Sequence, residues 1–329
     1  MVFSTTSVQA AVTIQPISDM TDADSCPDLI QQERMTLEPA PLRAQRIVVR
    51  LPTVSMIFHA TATRLQVRSL VQDGMSAFVA FGPRSVGTVN GIGVDGEKLL
   101  MAGPRTEARF FVEPGYESVA LLAASDEISG YLRSLRRTKD LMVASGAQVL
   151  AAGRDAAQGL FQVGRGLAVV AAQSPDVFDC QRVESALAQS EILDALFAAL
   201  RTTAPMELQG PEKTHLTHDK IVRVAEEYVL MRASERVHIA DVCCVTDVSE
   251  RTLETAFKNV TGLSPVAYFI RLRLHRARDA LVAAEPGSTR VSDEAVKFGF
   301  WHFGEFSAAY RRCFGEAPSE TLRRQPGPR

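Results

Sequence analysis

Little in this 329-residue chain provides for catalysis. Histidine is scarce: there are six, and only His59 precedes residue 215. A metal-dependent active site needs several His, Cys or carboxylate ligands together. The first two hundred residues cannot supply such a cluster, so His59 reads as a packed or pocket-lining side chain. Neither G-x-S-x-G nor H-E-x-x-H occurs. Cysteine is limited to Cys26, Cys180, Cys243, Cys244 and Cys313, an odd and scattered set. Neighbours on a helix point about 100° apart, so Cys243 and Cys244 do not suit a structural disulfide, and reduced thiols are expected. There is no uncharged apolar run of 18 residues, which excludes a membrane-spanning helix. No basic start precedes an apolar core at the N-terminus, so no signal peptide is read and a cytoplasmic location is expected. Nor is there an excess of charge. The net value is −2, and from His215 onward 17 Lys+Arg face 15 Asp+Glu. Bulk charge therefore does not advertise a nucleic-acid binder, and such a reading has to come from motifs.

What is present divides into parts. Residues 1–44 are polar and carry Pro16, Pro27, Pro39 and Pro41, as a flexible, partly disordered N-terminal arm leading into a first strand would. Residues 45–203 change character midway. From Arg46 to Leu122, seven short runs rich in β-branched and aromatic residues are cut by Gly, Pro and Asp, the pattern of an antiparallel barrel or sandwich. The Gly-rich stretch GTVNGIGVDG (87–96) lacks a following Lys-Ser/Thr and reads as a hairpin loop, not a phosphate cradle. Helical periodicity follows in 126–137 and in 155–173. Ser174-Pro175 then supplies an N-cap and first-turn proline for a helix reaching about Arg201. Its stripe of Leu193, Leu196, Phe197 and Leu200 suits either a core or a dimer seam. Residues 204–216, with two prolines and a glycine, read as a linker. Residues 217–329 form an all-α domain, which makes the fold class α+β.

Two stretches of that last domain repeat one pattern. Val237–Gly262 (VHIADVCCVTDVSERTLETAFKNVTG) and Val291–Gly315 (VSDEAVKFGFWHFGEFSAAYRRCFG) each give a short apolar helix, a turn, and a second helix ending in a basic-aromatic pair. Phe257-Lys258 closes one and Tyr310-Arg311 the other. Two helix-turn-helix units in tandem, about 50 residues apart, point to a reader of duplex DNA. In the first, Ser249 has the position of an N-cap. Leu253, Ala256, Phe257 and Val260 form the buried face, and Gly262 ends the helix.

The segments ERTLETAFKNVTGLSPVAYFIRLRLHRARDAL and GFWHFGEFSAAYRRCFGEAPSETLRR resemble the paired motifs of the AraC/XylS family of bacterial transcription regulators, over about residues 217–325. The resemblance implies two helix-turn-helix units joined by a rigid helix and entering successive major grooves. It also implies a cupin-like N-terminal barrel with dimerisation helices that binds a small effector. Matched position by position, Arg251, Glu254 and Thr255 face bases in the first unit. Arg suits guanine O6/N7, Glu suits cytosine N4, and Thr suits the thymine methyl. In the second unit the base-facing positions fall on His302, Phe303 and Glu305, with Gly304 and Ala308 beside them, a departure from the family's more polar pattern. Ser249, Lys258, Arg271, Arg311 and Arg312 are assigned to phosphates.

The expected function is a nucleoid-associated, homodimeric activator that binds double-stranded promoter DNA and recruits RNA polymerase under control of a small-molecule effector. No cofactor, metal or membrane is expected. The alternative is a ligand-independent regulator controlled by a protein partner or by oligomer state. An enzyme fused to a DNA-binding domain is a third class, disfavoured because Cys26 and Cys180 lie near no His or Cys partner in sequence. The effector itself is not legible. Arg64, Arg68, Arg84, Arg105 and Arg109 are each able to hold a carboxylate, and Phe58, Phe78, Phe81, Phe110 and Phe111 suit an apolar ligand.

Overall fold

The computed structural model describes residues 10–18, 26–38, 42–134, 146–179, 182–206, 208, 210–285 and 287–324. Cys180, the last residues of the helix expected over 126–137, and parts of the expected arm and linker lie outside them. The β-rich runs fold as strands β1 (Val12–Ile17), β2 (Ile30–Thr36), β3 (Ala44–Arg50), β4 (Val54–Thr61), β5 (Leu65–Val71), β6 (Met75–Phe81), β7 (Gly87–Val89), β8 (Ile92–Val94), β9 (Lys98–Ala102), β10 (Glu107–Val112), β11 (Tyr116–Ala124), β12 (Ala147–Ala151) and β13 (Ala204–Pro205). They make an eight-stranded sheet in the order β1-β3-β4-β11-β6-β9-β12-β13 and a five-stranded sheet in the order β2-β5-β10-β7-β8.

The two sheets share one core, built from Ile57, Val79, Leu100 and Leu122 of the larger and Leu65, Val71, Phe110 and Val112 of the smaller. Among the described residues neither sheet closes on itself. Of the expected cupin-like barrel or sandwich, the described residues show two open sheets packed on one core, the sandwich form. Two segments of the expected flexible arm are also strands. β1 pairs with β3 and β2 pairs with β5, so polar composition there reflects edge positions, not disorder.

The outer face of the larger sheet is covered by helices α2 (Arg154–Gln173) and α3 (Val183–Thr202), which follow α1 (Ser125–Ser134). Met56, Phe78, Leu99 and Leu121 of the sheet meet Leu160, Phe161, Leu196 and Leu200 of the helices. Leu193 and Phe197 pack against the same cluster. The α3 stripe therefore belongs to this core. Pro175 starts a short 3-10 turn, Pro175–Phe178, rather than α3 itself. The hairpin expected at 87–96 is present as β7–β8, with Asn90 at φ 48° and Gly91 at φ 79°, the positive-φ pair a two-residue hairpin turn demands.

The C-terminal part is all-helical: α4 (Gly210–Met231), α5 (Ile239–Thr246), α6 (Glu250–Thr261), α7 (Pro265–Ala283), α8 (Val291–Lys297), α9 (Phe303–Phe314) and α10 (Pro318–Arg323). Helix α4 begins at Gly210, inside the stretch expected as linker, because Pro211 is tolerated in a first helical turn. Val222, Ala225, Val229, Leu253, Phe257 and Tyr268 form the core of the first unit. Phe257 meets Tyr268 and Phe269 edge-on at 5.4 and 5.2 Å. The second unit is built on Leu274, Leu281, Ala295, Phe306 and Tyr310. Helix α7 serves both cores, so it fixes the two units relative to each other. In the second, His275 stacks edge-on against Phe314 at 4.9 Å.

The smaller sheet packs against the first unit. Met35, Leu37 and Phe111 enter that unit's core. Around them lies a buried charge cluster. Arg109 donates to Asp219 Oδ1 (2.6 Å), to the Asp219 carbonyl (3.0 Å) and to Glu226 Oε2 (3.0 Å). Arg68 reaches the other Glu226 oxygen at 2.7 Å. Tyr268 donates to Gln66 at 2.6 Å, and at the exposed rim Arg276 pairs with Glu33 at 2.9 Å. The β7–β8 turn also touches α4. A Cβ on Gly91 would stand 2.6 Å from the Asp219 Cβ, so close approach joins positive φ as a reason for glycine there.

Two predictions follow from this packing. Phe257→Ala removes a fully buried ring and should destabilise the chain by about 3–5 kcal/mol in chemical denaturation. Burial, aided by Arg271, Arg278 and Arg276, lowers the His275 pKa from 6.5 to about 3. In the unfolded chain this histidine binds a proton near pH 6.5, whereas in the folded chain it does not until about pH 3. Its contribution to stability is full above pH 6.5 and is lost as pH falls toward 3. A proton NMR titration should show its imidazole neutral down to pH 4.

Candidate nucleic-acid interface and cavity

Helix α6 presents its outer face to solvent because its apolar residues recur at helical spacing and bury the other side. Ser249 caps it, its Oγ accepting from the Thr252 amide at 3.2 Å, and Gly262 ends it in the left-handed region at φ 74°. Arg251, Glu254, Thr255 and Lys258 are all exposed on this helix. The Thr255 hydroxyl donates to the Arg251 carbonyl at 2.8 Å, which turns the γ-methyl into the group free for outside contact. Because the Ser249 hydroxyl is engaged in capping, the open anion-facing groups at this end are the first-turn amides.

In the second unit, α9 begins at Phe303 with His302 as its N-cap. His302, Phe303 and Glu305 are exposed, and so is Trp301, with Trp301 and Phe303 at 60% and 48% of full accessibility. Arg311 and Arg312 stand exposed in its last turn. A groove between the two units runs past Val266, Ile270, Trp301, His302, Glu305 and Arg312. The structure thus groups the six base-facing candidates on the exposed faces and ends of two helices, with four of the five phosphate candidates, Ser249, Lys258, Arg311 and Arg312, on the same helices.

Arg271 is the exception and is corrected. It turns to the smaller sheet and donates to the Thr36 and Glu38 carbonyls, both at 3.0 Å. A cation on the facing helix thus satisfies carbonyls at and just beyond the end of β2. Its neighbours are likewise engaged in the fold. Arg273 donates to the Glu235 carbonyl and Arg278 to Glu316.

A cavity of about 80 Å³ lies between the two sheets. Ile57, Val67, Val79 and Phe110 contribute apolar walls, with Gln32, Arg34, His59 and Tyr116 as polar groups. No Asp or Glu is among its described lining residues. Burial, with Arg46 and Arg34 adding to it, pushes the His59 imidazole well below its ordinary value, so His59 is neutral and offers one donor and one acceptor. Burial raises the Tyr116 pKa, keeping its phenol protonated. Of the phenylalanines considered for an apolar ligand, Phe110 lines this space, whereas Phe58 and Phe78 belong to the core on the sheet's other side. Of the arginines, Arg68 and Arg109 do hold carboxylates, but those of Glu226 and Asp219. Arg64 pairs with Glu113 and Arg105 with Asp73. Gln32, Arg34 and Tyr116 escape a sequence reading that looks for charge in the runs after residue 45.

Known proteins agree with the helical half of this picture. A family described as a helix-turn-helix domain matches residues 242–324. A Rhodococcus erythropolis protein named "Probable thc operon regulatory protein" is 37% identical over 106 residues, 32% of this chain and 32% of its own length. The XylDLEGF operon transcriptional activator 2 of Pseudomonas putida is 32% identical over 104 residues, covering 32% of this chain and 64% of its own. The chain thus spans about a third of the first relative and under two thirds of the second. The crystal structure of "a probable AraC family transcriptional regulator from Rhodopseudomonas palustris" is 37% identical, covering 33% of this chain and 99% of the other at a TM-score of 0.30. Through the double helix-turn-helix domain at its C-terminus, the chain belongs to the AraC/XylS family.

Proposed function

We propose that this protein is a sequence-specific DNA-binding transcription regulator, an activator controlled by a small molecule held between the two sheets. The observation that carries the reading is the pair of helices α6 and α9, with outward polar or aromatic faces and a shared connecting helix. Arg251, Glu254 and Thr255 read base edges in the first unit. The second unit offers an exposed His302, Phe303 and Glu305 and contributes apolar contact and phosphate binding through Arg311 and Arg312, so sequence choice is concentrated in the first. Lys258 and the amides behind Ser249 hold the backbone. The part spanning residues 45–203 senses the effector and residues 217–329 read DNA. The cavity favours effector control over a ligand-independent regulator. Its apolar walls and acid-free polar groups suit a mostly apolar molecule with a polar or anionic head.

A homodimer is proposed to form through the outer helices, where Val169, Val170, Val183 and Leu187 are exposed, with RNA polymerase as the further partner and the cytoplasmic nucleoid as the place of action. Among the described residues, no helix is long and apolar enough to cross a membrane.

A gel shift on DNA upstream of the neighbouring genes should show a salt-dependent complex, and no shift at any salt, with or without small molecules, sinks the proposal. Arg251→Ala should cost about 1–3 kcal/mol and relax preference at one base pair. Arg311→Ala should weaken all sequences alike and flatten the salt slope by about one. Equal, sequence-independent losses from both substitutions would refute the division of labour.

A further inference from the structure

Two aromatic side chains at the start of α9 have no part in the fold. Phe300, Phe306, Tyr310 and Phe314 of the same segment stack in the core of the second unit, with successive ring centroids 4.9, 5.6 and 4.6 Å apart. Trp301, the chain's one tryptophan, and Phe303 lie between them in sequence yet stand exposed. A single exposed apolar side chain is ordinary. Two large ones flanking the N-cap of a proposed reading helix are a feature to account for.

The backbone that carries them is held at both ends. Gly299 sits at φ 78°, and a Cβ there would lie 2.7 Å from the Ala233 carbonyl and 2.9 Å from a guanidinium nitrogen of Arg273. The Phe300 amide donates to the Ala295 carbonyl, and the Phe306 amide to the His302 carbonyl, both at 2.9 Å. Trp301 and Phe303 are thus presented between fixed points, so contact with a partner orders little further backbone. Trp301 also borders the groove between the two units, beside the exposed Val266 and Ile270. Next along the helix is Gly304. Neither a positive φ nor a crowded neighbour asks for glycine there, and it weakens a helix relative to alanine. A bare backbone at that point lets the helix come close to something outside the chain.

We infer that Trp301 and Phe303 read the 5-methyl group of thymine in the major groove. The inference rests on the proposed DNA-reading role of α9. The N-terminal residues of the second helix of such a unit reach base edges, and Arg311 and Arg312 stand at the other end of α9, where the phosphates are. Between Phe303 and Tyr310 the exposed side chains able to hydrogen-bond are those of Glu305 and Ser307. A surface so poor in donors selects by apolar contact. Thymine alone among the four bases offers a methyl group in the major groove. Covering it with an aromatic side chain removes about one methyl of apolar surface from water, a factor of about four in affinity. The second unit therefore adds a thymine preference to the stronger, hydrogen-bonded choice made by Arg251, Glu254 and Thr255.

Duplex sites selected from random DNA by the full chain supply the test. The second unit's half-site lies about one helical turn from the position whose preference Arg251→Ala relaxes, and it should carry thymine. Replacing that thymine by uracil removes the methyl and leaves the hydrogen-bonding edge intact. Wild-type binding should weaken about fourfold for each methyl removed. In Trp301→Ala/Phe303→Ala the thymine and uracil duplexes should bind alike, whereas Phe303→Leu keeps an apolar cover and should retain a thymine preference. A 5-methylcytosine in the same place should bind wild type more tightly than cytosine, by a similar factor, and should lose that advantage in the double variant. Both side chains are exposed, so the double variant should melt within a few degrees of wild type. A selected half-site without thymine overturns the inference, as does equal wild-type affinity for thymine and uracil duplexes, the result expected of side chains that wedge between base steps or face a protein. An undiminished thymine-to-uracil ratio in the folded double variant is equally contrary. Failure to bind any duplex would remove the DNA-reading proposal itself, whereas tight, selective binding that ignores the methyl removes this inference alone.

Discussion

The arrangement of this molecule depends on one buried cation. Arg109, 3% exposed, sits in a β-strand and is held by two carboxylates of a helix more than a hundred residues later in the chain. A buried ion pair is weak evidence for net stability, because desolvation offsets much of its attraction. Its stronger effect is on placement. A guanidinium buried in the seam must find both carboxylates at hydrogen-bond distance, and few orientations of α4 on the sheet allow that. Greasy contacts alone, such as those of Met35, Leu37 and Phe111, tolerate sliding. The charge cluster selects one seating among those they allow.

That seating has consequences along the helical half. The sheet touches α4 and α7, and α7 supplies both helix-turn-helix cores. Seating the first unit therefore also orients the second. None of the exposed candidates on α6 and α9 is used in the seam, so the docked form keeps its reading faces open to solvent. Arginine use follows the same division. Those at 271, 273, 276 and 278 on α7 bind carbonyls or carboxylates within the protein, whereas Arg251, Arg311 and Arg312 stand free of the seam. This explains how a chain of net charge −2 can present cations where they are needed.

The sequence displayed the helical half well and the sheet half less well. Strong local signals marked the first: Ser249 at a cap, Gly262 after the last turn, and apolar residues at helical spacing. Strand runs were visible too, as was the Asn90-Gly91 hairpin. Whether the sheets close was not, since that depends on pairing between distant strands. The arm was misread because β2, IQQERMT, is polar on average. It borrows order from β5 and from the helices beyond it. Arg271 was misassigned for a related reason. Helical position shows that a residue faces outward from its own helix, but not whether another element stands there. For the same reason Arg68 and Arg109 looked like ligand-binding cations, and their true partners, Asp219 and Glu226, were hidden by distance in the chain.

The central claim is that Arg109 and Glu226 act together to seat the reading half on the sheet. A double-mutant cycle measures this directly, using unfolding free energies of Arg109→Met, Glu226→Gln and the pair. The account predicts a coupling of at least about 1 kcal/mol, with the double variant less impaired than the sum of the singles. Additive losses, with a coupling near zero, would contradict it.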